Sequence, residues 1–196
     1  MENRYLLWFA VLVALSVLLY SPALSVGFLS DDWNYAYMAD RTGVFESLKF
    51  FWQPDVLGNG SGNFRPLQAV GTAFVWKWFI DMPQILHLIS ILLHAVVAYL
   101  VGHLTFTLFN KENVGIVAAL FFLVMPVNTE VVVWLASWNA LLAAIPLLLA
   151  LIIYAESAVF ELKREFVVAM LLMISLLAKE HALVFPAFAF GIDVLL

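Results

Sequence analysis

Ser30-Asp31-Asp32-Trp33 places two adjacent carboxylates directly after a run, Tyr5 to Ser30, that carries no charge. Ionised groups are costly to hold near hydrocarbon, so such a pair either ends a membrane helix among solvated headgroups or does work there. A carboxylate at a membrane boundary can remove a proton from a hydroxyl nucleophile. Further along stand Arg65, Glu130 and the pair Lys179-Glu180. Cations of this kind suit an anionic leaving group, and Arg suits bidentate phosphate contact. His87, Ser90 and His94 follow at i, i+3 and i+7, which puts them on one helix face. That stripe either hydrogen-bonds a neighbouring helix or meets a ligand.

The elements that must position these groups are membrane elements. Of 196 residues, 65% are hydrophobic and 12% charged, against roughly 45–50% and 25% in soluble domains. A soluble core cannot absorb this excess, so the chain reads as an all-α polytopic membrane protein. The net charge of −5 argues against nucleic-acid binding, which needs a basic surface. With no cysteine, disulfides and thiolate chemistry are excluded. The 17 Phe, 7 Trp and 6 Tyr suit membrane interfaces, where amphipathic rings sit at headgroup depth.

About 20 residues cross the hydrocarbon. Tyr5 to Val26 makes a first span, although Ala23-Leu24-Ser25 also fits a small-x-small cleavage site. Met82 to Phe109, Val114 to Met125 and Val131 to Ala155 make three more, with Pro126 ending the third and Pro146 kinking the fourth. Asn128 or Thr129 is the expected N-cap between the third and fourth. Phe166 to Ala178 and Ala182 to Ile192 complete about six spans, parted at Lys179-Glu180-His181 because one long helix would bury three ionisable groups. The long first loop holds apolar residues at helical spacing (Val44, Phe45, Leu48, Phe51, Trp52), which predicts amphipathic interfacial helices over Trp33 to Trp52 and Phe64 to Ile80. Leu57 to Asn63 is a flexible break by composition, and Asn59-Gly60-Ser61 fits a glycosylation acceptor.

Arg4, Lys111, Lys163 and Arg164 fall on one side and by the positive-inside bias are cytoplasmic, as is the N-terminus. Asp31, Asp32, Arg65, Glu130, Lys179 and Glu180 then share the outer side, brought there by separate loops. Ordinary helix ends would also collect charges on that face.

Phe64-Arg65-Pro66-Leu67 follows the Asp pair; His87-Leu88-x-x-x-Leu92-Leu93-His94, Pro126-Val127-x-x-Glu130-x-x-x-Trp134 and Ala178-Lys179-Glu180 come after it. In this order the motifs resemble the N-terminal module of the C-type glycosyltransferases, most closely the transmembrane O-mannosyltransferases with tetratricopeptide tails and their bacterial relatives. Two histidines common in the family's third motif are replaced here by Met125 and Asn128. Family members are longer, so residues 1–196 read as a single transmembrane module, a fragment or reduced relative of such a chain.

The resemblance implies an inverting transfer of a mannose-like sugar from a polyprenyl-phosphate donor to an acceptor hydroxyl on a protein or glycan. It would occur at the periplasmic or lumenal face of the bacterial inner membrane or endoplasmic reticulum. It implies Asp31 as base with Asp32 as its support, Arg65 and Lys179 on the phosphate, and Glu130, Glu180 and His94 in the binding region. Glu130 and Glu180 could also take a divalent cation, though no ligand spacing defines a metal site. The rival reading is a non-catalytic polyprenyl-lipid-binding or assembly subunit of a membrane complex. A transporter lacks support, since no internal repeat is present.

Overall fold

The computed structural model describes residues 2–53, 64–156 and 161–195, and among these every regular element is helical. The flexible break and the glycosylation pattern at Asn59 lie outside the described residues. The first part of the uncharged run lies in α1 (Glu2–Tyr20), which is followed by a 3-10 turn at Ser21–Ser25, where Pro22 suits a first turn. Then come α2 (Asp32–Arg41), a 3-10 turn at Glu46–Phe51, α3 (Pro66–Phe79) and α4 (Pro83–Phe109). Proline opens both α3 and α4, where its missing N–H has no intrahelical role. The remainder comprises α5 (Glu112–Val124), α6 (Asn128–Val133), α7 (Trp138–Ala155), α8 (Leu162–Ala178) and α9 (Phe185–Leu195).

Among the described residues, three helical stretches are long and apolar enough to cross a membrane: Arg4–Ser25, Pro83–Phe109 and Leu135–Ala155. The six expected spans are therefore not all present as full-length helices. Pro126 stops α5 after 13 residues, and the charged elbow stops α8 after 17. At 1.5 Å per residue these reach about 20 and 26 Å, short of a hydrocarbon core about 30 Å thick. The elbow itself is a break: Lys179 is extended (φ −162°, ψ 144°) and a 3-10 turn, Glu180–Val184, leads into α9. Pro146 lies inside α7 without ending it. In the first loop, helix forms over Asp32–Arg41 and Pro66–Phe79, and among the described residues between them the regular element is a 3-10 turn.

Helix α4 is the central post. Leu12 of α1 meets its Ala98, together with Ala119 and Leu123 of α5. Gly102 and Gly115 put α4 and α5 backbone to backbone: a Cβ on Gly115 would lie 2.6 Å from the Gly102 carbonyl oxygen. Small residues at such a crossing substitute backbone contact for side-chain packing. At the other end, an aromatic cluster joins the first loop to the bundle. Trp76 stacks on Phe28 at 5.7 Å and packs beside Trp138, Leu86 and Leu135.

The α5 terminus accounts for one member of the polar stripe on α4, His94. Pro126 has no N–H to give the Phe122 carbonyl, the bond a continuing helix would make. Asn128 supplies it instead, its Nδ2 donating to Phe122 O at 2.6 Å. The next carbonyl, Leu123, accepts from the Tyr20 hydroxyl and from His94 Nε2–H, both at 3.3 Å. Asn128 thus closes the preceding helix; it does not cap α6, whose N-cap is Val127 with no side-chain hydrogen bond.

Candidate functional site

The two adjacent carboxylates part at the start of α2. Ser30 holds a left-handed backbone (φ 46°), a conformation rare outside glycine, and so turns the chain sharply. Across that turn the Asp32 N–H donates to Leu29 O at 2.8 Å, and the Leu29 N–H donates to Asp32 Oδ2, also at 2.8 Å. Asp32 Oδ1 accepts from the Ala136 N–H at 2.6 Å. Asp32 is fully buried. Burial outweighs these donors and, with the charge of Asp31 nearby, pushes the Asp32 carboxyl above its ordinary range. Asp31, by contrast, is exposed at the N-cap position, so neighbours in sequence have opposite surroundings.

Ala136 is held from its other side as well. Buried Gln68 of α3 donates through Nε2 to Ala136 O at 3.0 Å and accepts from Asn139 Nδ2 of α7 at 2.8 Å. The short turn Leu135–Ser137 is thereby clamped between α2 and α3 by side chains that have little exposure. Sequence reasoning passed over Gln68 and Asn139. The available signal was an uncharged amide inside each of two apolar helices, where hydrocarbon offers it no partner. Tyr35 joins the same group: Gln68 lies within reach of its hydroxyl. Burial raises its phenol above the ordinary value, while the charge of Arg65 opposes that rise.

Arg65, at the N-cap position of α3, reaches across 115 residues to Glu180. Its Nε donates to Oε2 at 3.0 Å and its Nη2 to Oε1, a two-pronged contact. Arg65 holds the Glu180 carboxyl down at about 2. Lys179 is half-buried beside them. Burial first, then the Arg65 charge, lowers its ammonium below the usual lysine value, with Glu180 and exposed Glu130 acting the other way. Two cations facing one another at a partly dry site favour an anion between them.

The structure therefore brings Asp31, Asp32, Arg65, Glu130, Lys179 and Glu180 to one end of the bundle, with Tyr35 and Gln68 linking the first loop to the rest. His94 is elsewhere. It is fully buried between α1 and α5, edge-on to Tyr20 and bonded to the α5 terminus. Both oxygens of Glu180 are taken by Arg65, and among the described residues no three His, Asp or Glu side chains gather as a metal set.

The chain is similar to a nematode mannosyltransferase. Over 194 residues it is 27% identical to Protein O-mannosyl-transferase F38B6.6 of Caenorhabditis elegans, a match covering 94% of this chain and 28% of that protein. The chain thus spans little more than a quarter of the length of the curated relative. No family model matches, and no solved structure matches. The similarity supports a glycosyltransferase-like family, and the apolar helices suggest a membrane protein.

Proposed function

We propose that this chain carries the reacting end of a membrane glycosyltransferase that moves a mannose-like sugar from a polyprenyl-phosphate donor to an acceptor hydroxyl, with inversion. The observation that carries this reading is the convergence of exposed Asp31 with Arg65 and Lys179 at one end of an apolar bundle. Asp31 takes the proton of the acceptor hydroxyl as its oxygen attacks the anomeric carbon. The bond from that carbon to the phosphate oxygen breaks on the opposite face, and positive charge develops on the ring. Arg65 and Lys179 receive the departing phosphate. Asp32 supports the base indirectly, by fixing the turn that presents Asp31. The lipid donor reaches such a site without leaving the bilayer, and the acceptor is a protein or glycan on the outer, periplasmic or lumenal side.

The test is reconstitution in vesicles with polyprenyl-phosphate sugars and candidate acceptors, with products read by mass spectrometry. Transfer that inverts the anomeric centre is expected. Binding of polyprenyl phosphate with no transfer from any donor would favour the non-catalytic lipid-binding or assembly subunit. Sidedness is tested separately. The chain has no cysteine, so single cysteines at Asn113 and Thr129 should react with an impermeant reagent from opposite sides, Thr129 from outside.

A further inference from the structure

At the end of the bundle away from Asp31 and Arg65, α1, α4 and α5 enclose a hollow of about 410 Å³. That volume is in the ~300–1,000 Å³ range of ligand clefts. Its origin is local. The Gly102–Gly115 crossing draws α4 and α5 together, and both glycines line the hollow. Leu7, Trp8, Val11 and Phe106 form apolar walls, and Leu7 and Val11 keep much of their surface uncovered, so the hollow is part open. His103 lines it too, stacked between Tyr99 and Phe106.

The mouth is charged. Arg4 and Glu112 meet there at 2.8 Å, with 75% and 55% of their side chains exposed. Both sit at the ends of apolar helices, Arg4 where the first candidate span begins. In a bilayer this is headgroup depth, with Trp8 just below. An ion pair so exposed contributes little and opens readily to an inserted partner. The guanidinium matches a phosphate and the carboxylate matches a primary ammonium. Apolar walls, a part-open hollow and paired opposite charges at the rim are complementary to one zwitterionic lipid.

We infer that this hollow seats an acyl chain of an ethanolamine phospholipid whose phosphate meets Arg4 and whose ammonium meets Glu112. The site is separate from the reacting end, so its occupancy does not depend on the transfer reading.

The experiment uses the chain reconstituted in phosphatidylcholine vesicles with a trace of phosphatidylethanolamine bearing a photoreactive acyl chain. After illumination, adducts are mapped by peptide mass spectrometry. Adducts are expected on the peptides of Trp8–Val11 and Tyr99–Phe106, competed by unlabelled phosphatidylethanolamine. Val11→Trp, which fills the hollow, should lower them at least about fivefold, an effect well above that expected of a rim contact. Glu112→Gln, a surface change that leaves the packing alone, should reduce the preference for ethanolamine over choline lipid. Adducts spread evenly over the outward face of α8 and indifferent to Val11→Trp would overturn the inference. So would competition by phosphatidylglycerol as strong as by phosphatidylethanolamine, or a headgroup preference untouched by Glu112→Gln. If Val11→Trp does not fold, Leu7→Trp serves the same purpose at a position with open space beside it.

Discussion

The two ends of the bundle hold their charges in opposite ways. At the Asp32 end, a buried carboxylate and two buried amides fix one turn, and the exposed Asp31 stands on that frame. At the Arg4 end, one exposed ion pair crosses the mouth of a hollow, with two glycines beneath it. Buried hydrogen bonds are expensive to leave unmade, so a frame built from them has one geometry. An exposed pair has many. Bond-making chemistry needs reacting groups held closely in place, whereas a lipid tail needs only room. On the proposed reading, chemistry belongs to the first end and lipid accommodation to the second.

The largest effect should come from Asp31→Asn, which keeps shape and removes basicity. General-base assistance is worth roughly 100- to 10,000-fold, or about 3–5 kcal/mol of barrier. Sugar transfer should fall at least about 100-fold, while binding of polyprenyl phosphate, measured by fluorescence competition, changes little. An Asn variant as fast as the parent would move the base to Asp32 or Glu130 and remove the reason for the frame.

Next is the frame itself. Gln68→Leu strands the Ala136 carbonyl and the Asn139 amide in a buried place, which costs about 1–3 kcal/mol. Gly115→Ala at the opposite end drives a methyl against the Gly102 carbonyl, an overpacking of about 1–3 kcal/mol. Thermal unfolding in detergent should register both. Only Gln68→Leu should also slow transfer, because only it loosens the turn that holds Asp32. Equal loss of transfer in both variants would mean that the two ends are not separable.

What the sequence disclosed follows from the same contrast. The uncharged run before Asp31, the apolar length of α4 and the break at Lys179 were legible, because one rule governs each: a charge and a long stretch of hydrocarbon exclude one another. The meeting of Arg65 with Glu180 was expected only as residence on a shared face. Their two-pronged contact depends on the α3–α8 packing, which no local pattern encodes. Six spans were expected, and three helical stretches among the described residues are long and apolar enough to cross, because Pro126 and the charged elbow cut α5 and α8 short. The role of Asn128 was misjudged for a physical reason: the carbonyl freed by Pro126 lies closer at hand than the amides of the next helix. His94 fell to the same terminus through a contact 29 residues distant.

Lys179 gives a smaller effect with a defined sign. Its ammonium is held below the ordinary lysine value by burial and then by Arg65. The protonated form attracts phosphate, so donor affinity should be full below that lowered value. It should fall as pH rises through that lowered value, before an ordinary lysine would deprotonate. Lys179→Arg should flatten this profile, because guanidinium stays charged. Lys179→Met should weaken polyprenyl-phosphate binding roughly tenfold at neutral pH, about 1.4 kcal/mol. An affinity that does not vary with pH, with no loss in Lys179→Met, would place the phosphate away from this pair.

The smallest effect belongs to Glu180. Arg65 depresses its carboxyl from an ordinary value near 4.5 to about 2. A depressed acid stabilises the fold above its unfolded pKa, and that contribution disappears as pH falls from about 4.5 through about 2. With 56% of the Glu180 side chain exposed, solvent screens the pair, and Glu180→Gln should cost only about 0–1 kcal/mol at neutral pH. Its influence on the donor is opposite in direction. Gln still offers one acceptor oxygen, so Arg65 keeps its place, but the negative charge that repels phosphate is gone. Polyprenyl phosphate should therefore bind slightly more tightly to Glu180→Gln, by a few-fold, read by the same fluorescence competition. Weaker binding by tenfold or more would show that the carboxylate positions Arg65 through both prongs. The rigid frame around Asp32 would then extend across the bundle to the elbow at Lys179.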